Sequence, residues 1–180
     1  FVQMEIHRLT QLYLIRHAQS QDNALCDCDL DKLPKTKLGS DLSPLEIKQA
    51  EHLARDLQLI KFDSIYTSHL QRTHQTAQII FSDRNTNIIL NGNLKERDKQ
   101  TESDKEATLR FTNEVNNIVN SNLNQTIAII THSFVIRAFL NAIGHQKIDN
   151  MPPGYIQNTG YLKFEFEDNF YRLIDTQRVG

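Results

Sequence analysis

The chain of 180 residues is long enough for one domain with a substantial core and scarcely for two. Hydrophobic residues make up 39% and charged residues 23%, the proportions of an ordinary soluble globular protein. A formal charge of -2 excludes the global basic field that attracts nucleic acid, so any anion site has to be a local gathering of positive groups.

No apolar run approaches the roughly 20 residues of a membrane span, and no membrane partner is expected. The start, "FVQMEIHRLTQ", has no basic flank followed by a long apolar stretch and does not read as a signal peptide. Residues 1–10 are expected to be an extension or tag remnant at the head of a single domain covering 1–180. The first element is the apolar run Leu12 to Ile15, a buried strand that ends in Arg16-His17. Cys26 and Cys28 in "ALCDCDLD" form one C-x-C pair, which cannot staple a domain or complete a zinc site. They read as free thiols of a cytoplasmic protein. The polar stretch 27–41, with Pro34 and Gly39, reads as a surface loop.

Helix follows from Ser43 as N-cap and Pro44 at the first helical position, with Leu45, Ala50, Leu53, Ala54 and Leu57 at helical spacing. "FDSIYTS" is a second strand. A second helix is expected from Ser68 through "SHLQRTHQTAQIIF", with Leu70, Ala77, Ile80 and Phe81 inward. "NTNIIL" is a third strand, and the segment beginning at Ser103 is a helix with a stripe of Leu109, Phe111, Val115, Ile118, Val119 and Leu123. "QTIAIIT" is the most apolar strand, and "SFVIRAFLNAIG" is a helix closed by Gly144. "GYLKFEF" and "NFYRLID" alternate at period two around "EDN", a terminal hairpin. Alternating strands and helices specify an α/β fold, three layers with a mostly parallel central sheet and room for an antiparallel edge.

In open α/β sheets the ligand crevice lies outside the carboxyl ends of the strands. Here those ends deliver Arg16-His17, Ser68 with Arg72 one helical turn on, Glu96 after "LNGN", and His132 before a helix that begins at Ser133. Singly, each has a bland reading: a strand-end charge, a solvated helix residue, a core histidine, a surface carboxylate. Together, two arginines, two histidines and one carboxylate occupy equivalent topological positions. Cations gathered this closely repel one another unless an anion joins them. Guanidinium forks and helix starts suit a phosphoryl group.

The stretches "LYLIRHAQSQDN", "SIYTSHLQRTHQTA", "LKE" and "IAIITHSFVIRAFL" resemble, in order, the four signatures of the histidine phosphatase superfamily, whose fold is phosphoglycerate mutase-like. The resemblance runs from about residue 11 to residue 166 and includes Asn23, the "QA" at 49–50, "ESDKEATLR" and Asn158. It implies that His17 is a nucleophile that carries a phosphohistidine, and that Glu96 protonates the leaving group and then activates water. It further implies that Arg16, Asn23, Arg72, His132 and Ser133 hold the phosphoryl group. Ser20 and Ser133 have two readings, donation to an oxygen or capping, and capping is favoured. His69 and His74 read as structural or surface residues, and no cofactor or metal is called for.

The departures from the pattern are Ala18 for a usual glycine, Gln19 for a common glutamate, and Glu46 for a helix glycine, the last expected to affect packing alone. The glycine-tryptophan segment that usually follows the acid is absent, and the chain has no Trp. Asp98 and Glu102 therefore stand as reserve acids. Only residues 97 to 131 separate Glu96 from His132, which argues for an open pocket and for hydrolysis. The expected activity is hydrolysis of small phosphomonoesters, with broad specificity. The alternatives are a phosphoprotein or phosphohistidine phosphatase, a phosphoglycerate mutase, and a silent phosphate-binding module.

Overall fold

The computed structural model describes residues 9–18, 42–144 and 156–177. Asn23, Ser20, Cys26, Cys28, Gln19 and the expected loop over 27–41 lie outside them. Among the described residues, ten strands and α-helices carry the fold. They are β1 (Thr10–Arg16), α1 (Pro44–Asp56), β2 (Ser64–Thr67), α2 (Gln71–Ile80), β3 (Ile88–Leu90), α3 (Asp104–Ser121), β4 (Thr126–Thr131), α4 (Ser133–Ala142), β5 (Tyr161–Glu167) and β6 (Phe170–Gln177). A 3-10 turn, Gly92–Leu94, follows β3. Thr10 pairs with Phe166 and belongs to the sheet.

The strands form one sheet in the order β3-β2-β4-β1-β5-β6. The first four run parallel, and β5 is antiparallel to β1 and to β6. The period-two rule explains the layers. Leu12 and Leu14 of β1, with Ile127 and Ile129 of β4, face a core shared with Phe111, Val115, Val135 and Phe139 of α3 and α4. Tyr13, Ile15, Ala128 and Ile130 face the other way, onto Ala50 and Leu53 of α1 and Ala77 and Ile80 of α2. Both faces of the central strands are thus buried, which is why β1 and β4 read as continuous apolar runs. The architecture is three-layer α/β/α, as the alternation of elements implies.

Three details differ from expectation. Leu45 is 61% exposed, Leu109 59% and Leu123 54%. In α1 the buried stripe runs through Glu46, Ala50 and Leu53, and the Glu46 carboxylate accepts the N–H of Ser43, so this residue caps the helix as well as filling space. Leu109 sits two positions before buried Phe111, about 200° away around the helix, and Leu123 lies past the end of α3. The second helix begins at Gln71 with Leu70 as N-cap rather than at Ser68, whose hydroxyl accepts the Leu70 N–H at 3.3 Å. The hairpin turns through Asp168 and Asn169 at φ 50° and 62°, left-handed conformations that Asp and Asn tolerate. No helix among the described residues is long and apolar enough to cross a membrane.

Candidate active site

The parallel register brings the strand ends level. Arg16 pairs with Thr131, Thr67 with Ile130, and Thr67 with Leu90. The residues that leave these strands share one edge of the sheet. His17 continues the ladder by donating its N–H to Thr131 O at 2.9 Å. Thr159, at φ 57°, donates its N–H to Arg16 O at 3.1 Å, and Thr76 Oγ1 accepts the Ala18 N–H at 3.1 Å while donating to Arg72 O at 2.6 Å. The end of β1 is thereby tied both to the approach to β5 and to α2, which carries Arg72.

At this edge the rings of His17 and His132 stand 5.0 Å apart between centroids, at 63° to one another. Arg72 links them. Its Nε donates to His17 Nε2 at 3.3 Å and its Nη2 donates to His132 Nδ1 at 3.1 Å. His17 Nδ1 lies 2.5 Å from Ala18 O, which can only accept. The proton therefore sits on Nδ1, and Nε2 presents the lone pair. By the same logic His132 accepts at Nδ1 and carries its proton on Nε2, an atom that is buried with no hydrogen-bond partner among the described residues. Arg16 is buried beside them and donates to Ile156 O at 2.6 Å.

Both imidazoles are held well below their ordinary pKa of 6.5. For His17 burial is the largest cause, followed by the Arg72 guanidinium, with the Ala18 carbonyl acting in the opposite direction. For His132 burial again leads, then Arg72, His17, Arg16 and His69. The folded chain thus keeps both rings neutral while the unfolded chain protonates them near 6.5. Stability is full above that value and falls as pH drops through it, because the unfolded state then binds more protons, by up to about 1.4 kcal/mol per pH unit for each ring. Thermal melts between about pH 7 and 5 are expected to show this decline, with roughly half the slope in His17→Asn. A melting temperature flat across that range would contradict buried neutral rings.

Glu96 reaches the same edge from the 3-10 turn. Thr131 Oγ1 donates to Leu94 O at 2.7 Å, stitching this turn to the end of β4. The Glu96 carboxylate accepts the Arg97 N–H at 3.0 Å on Oε1 and the Phe134 N–H, in the first turn of α4, at 3.3 Å on Oε2. The reserve carboxylates are engaged elsewhere. Asp98 is exposed, accepts from Gln100 N and Thr101 Oγ1 at 2.9 Å each, and is held below the usual carboxylate range by those bonds. Glu102 takes a two-pronged grip from Arg110 at 2.7 and 2.8 Å, which lowers its pKa likewise. Ser133 opens α4 directly after His132. Thr76, Thr131 and Phe134, which position these groups, went unremarked in the sequence. The cue for Thr76 was its place four residues after Arg72, one turn along the same helix face.

A parallel α/β sheet that delivers two neutral imidazoles and two guanidiniums to its carboxyl edge is a phosphoryl-binding framework of the histidine phosphatase kind. The chain belongs to the histidine phosphatase superfamily (branch 1), whose family model matches residues 12–101 and 97–177. Among curated proteins it is 36% identical over 88 residues to one from Hydrogenobacter thermophilus named "Putative phosphoserine phosphatase 2", a match that covers 49% of this chain and 40% of that relative's length. Among solved structures, Bacillus stearothermophilus YhfR superposes with a TM-score of 0.77 at 21% identity, covering 91% of this chain and 95% of the other. A phosphoglycerate mutase from Bacillus anthracis gives 0.79 at 14% identity, covering 93% and 92%. A phosphoserine phosphatase variant from Entamoeba histolytica, in complex with phosphoserine, gives 0.73 at 22% identity, covering 93% and 96%.

Proposed function

We propose that the protein is a phosphatase that hydrolyses small phosphomonoesters through a phosphohistidine on His17. The observation that carries this reading is the placement of an unprotonated His17 Nε2 against Arg72, with the His132 ring 5.0 Å away. A phosphoryl group entering here draws the Arg72 donors onto its oxygens, and the lone pair of Nε2 is released. Nε2 then attacks phosphorus, forming the N–P bond as the bond to the ester oxygen breaks. Arg16, Arg72 and the His132 Nε2–H stabilise the charge on the equatorial oxygens. Glu96, as the acid, protonates the leaving oxygen. In the second half its carboxylate takes a proton from water, the new P–O bond forms, the N–P bond breaks, and inorganic phosphate departs.

Hydrolysis is favoured over mutase chemistry because α3, β4 and short connections occupy the interval between Glu96 and His132, leaving no inserted cover there. Asn23 and Ser133 complete the proposed phosphate contacts. The names of the Hydrogenobacter relative and of the Entamoeba structure make phosphoserine the first substrate to try, within a panel of metabolite phosphates.

The test is to quench a reaction with p-nitrophenyl phosphate and map protein-bound phosphate. An acid-labile phosphoryl group on the peptide containing His17 is expected. Turnover without such an adduct under rapid quench would overturn the covalent route, and phosphate binding without turnover would favour a silent binding module.

A further inference from the structure

Glu96 is joined to the start of α4 by contacts that involve the residue after it. Its two carboxylate oxygens accept backbone N–H groups from Arg97 and Phe134, and the side chains of those same two residues are stacked on each other. The Arg97 guanidinium carbon lies 4.4 Å from the centre of the Phe134 ring, within cation–π range. Phe134 in turn rests on the core cluster of α3 and α4. The guanidinium also pairs with Asp104 at the start of α3, and the Arg97 side chain is only 19% exposed although it follows an open turn. The loop in front of Glu96 is secured separately, by Arg110 of α3 donating to Asn93 O at 2.6 Å and Lys95 O at 3.1 Å. Those two bonds come from Arg110 and not from Arg97. What Arg97 ties down is the far side of Glu96.

We propose that Arg97 is a positioning residue for the acid: its stack on Phe134 and its ion pair with Asp104 clamp the Glu96 carboxylate against the first turn of α4. The inference rests on the reading of Glu96 as the proton donor. Its physical basis is that an acid has to meet the leaving oxygen within a narrow geometry, and a displacement of about 1 Å costs on the order of a hundredfold. The planar guanidinium is needed for the stack and the ion pair together, so lysine substitutes only in part.

The experiment compares kcat/KM for p-nitrophenyl phosphate, whose leaving group departs without a proton, with that for an alkyl phosphate such as phosphoserine, whose leaving group needs one. Glu96→Gln is the reference and must lose far more on the alkyl ester than on the aryl ester. Arg97→Ala is expected to fall about 10- to 100-fold on the alkyl ester and less than about threefold on the aryl ester. Arg97→Lys should lie between it and the parent protein. Phe134→Leu, which keeps apolar volume and removes the ring, should show the same selective loss and stands in if Arg97→Ala does not fold. Equal losses on both esters, or none on either, while Glu96→Gln remains selective, would overturn the clamp and leave the acid assignment intact. If Glu96→Gln shows no selectivity, the acid assignment fails and the clamp with it.

Discussion

His17→Ala is expected to remove phosphatase turnover by at least about 10⁴-fold and to abolish the phosphoenzyme altogether. The size follows from the proposed covalent route, in which the loss of Nε2 removes the first displacement and leaves guanidiniums that can only bind. Binding itself should survive. The His17 ring is buried among Arg72, Arg16 and His132, so its loss leaves their positive charge in place, and inorganic phosphate should still raise the melting temperature of the variant. The paired readout separates chemistry from folding. A variant that keeps more than about one part in a hundred of the activity, with binding intact, would mean that another group attacks phosphorus.

Arg72→Ala is expected to cost on the order of 10³-fold in kcat, the scale seen when a transition-state arginine or oxyanion donor is removed. Arg72 touches both imidazoles, at 3.3 and 3.1 Å, and is the largest charged influence on each. Removing it takes away the two-pronged donor of the proposed phosphoryl site and also the cation that helps keep His17 unprotonated. The two losses carry different signatures. With the cation gone the His17 pKa rises, so the acid limb of kcat/KM should move to higher pH in Arg72→Ala. Arg72→Lys should leave that limb nearly in place while recovering only part of the rate, because a point charge repels the imidazolium but cannot offer a fork. An Arg72→Ala profile unshifted from the parent would show that burial alone keeps the ring neutral.

The site was readable where its residues are tied to the ends of strands. Arg16, His17 and His132 follow runs whose continuous apolar character already marks them as central, and Arg72 lies one turn into the next helix. Level strand ends are a consequence of parallel pairing, so the four could be brought together on paper. Periodicity was a weaker guide at the margins. Leu45, Leu109 and Leu123 are apolar yet exposed, because a stripe of roughly 100° admits neighbours that lie just outside it, and a helix end carries no hydrophobic mark. Ser68 reads as the start of the second helix, but the chain spends two further residues turning before α2 begins.

The choice among Glu96, Asp98 and Glu102 shows the remaining boundary most clearly. All three lie within seven residues of one another, are alike in chemistry, and follow a turn with no regular pattern. They differ only in what meets them: the first turn of α4 for Glu96, a local Asx-type turn for Asp98, and the Arg110 fork for Glu102. The order of elements, the burial of β1 and β4, and the gathering of cations at one edge were written in the amino acids, since they depend on periodicity and on the handed, level geometry of parallel strands. Which carboxylate meets the first turn of α4 and which nitrogen of the His132 ring holds a proton were decided by tertiary contacts, because each depends on a partner distant in the chain and brought near by packing.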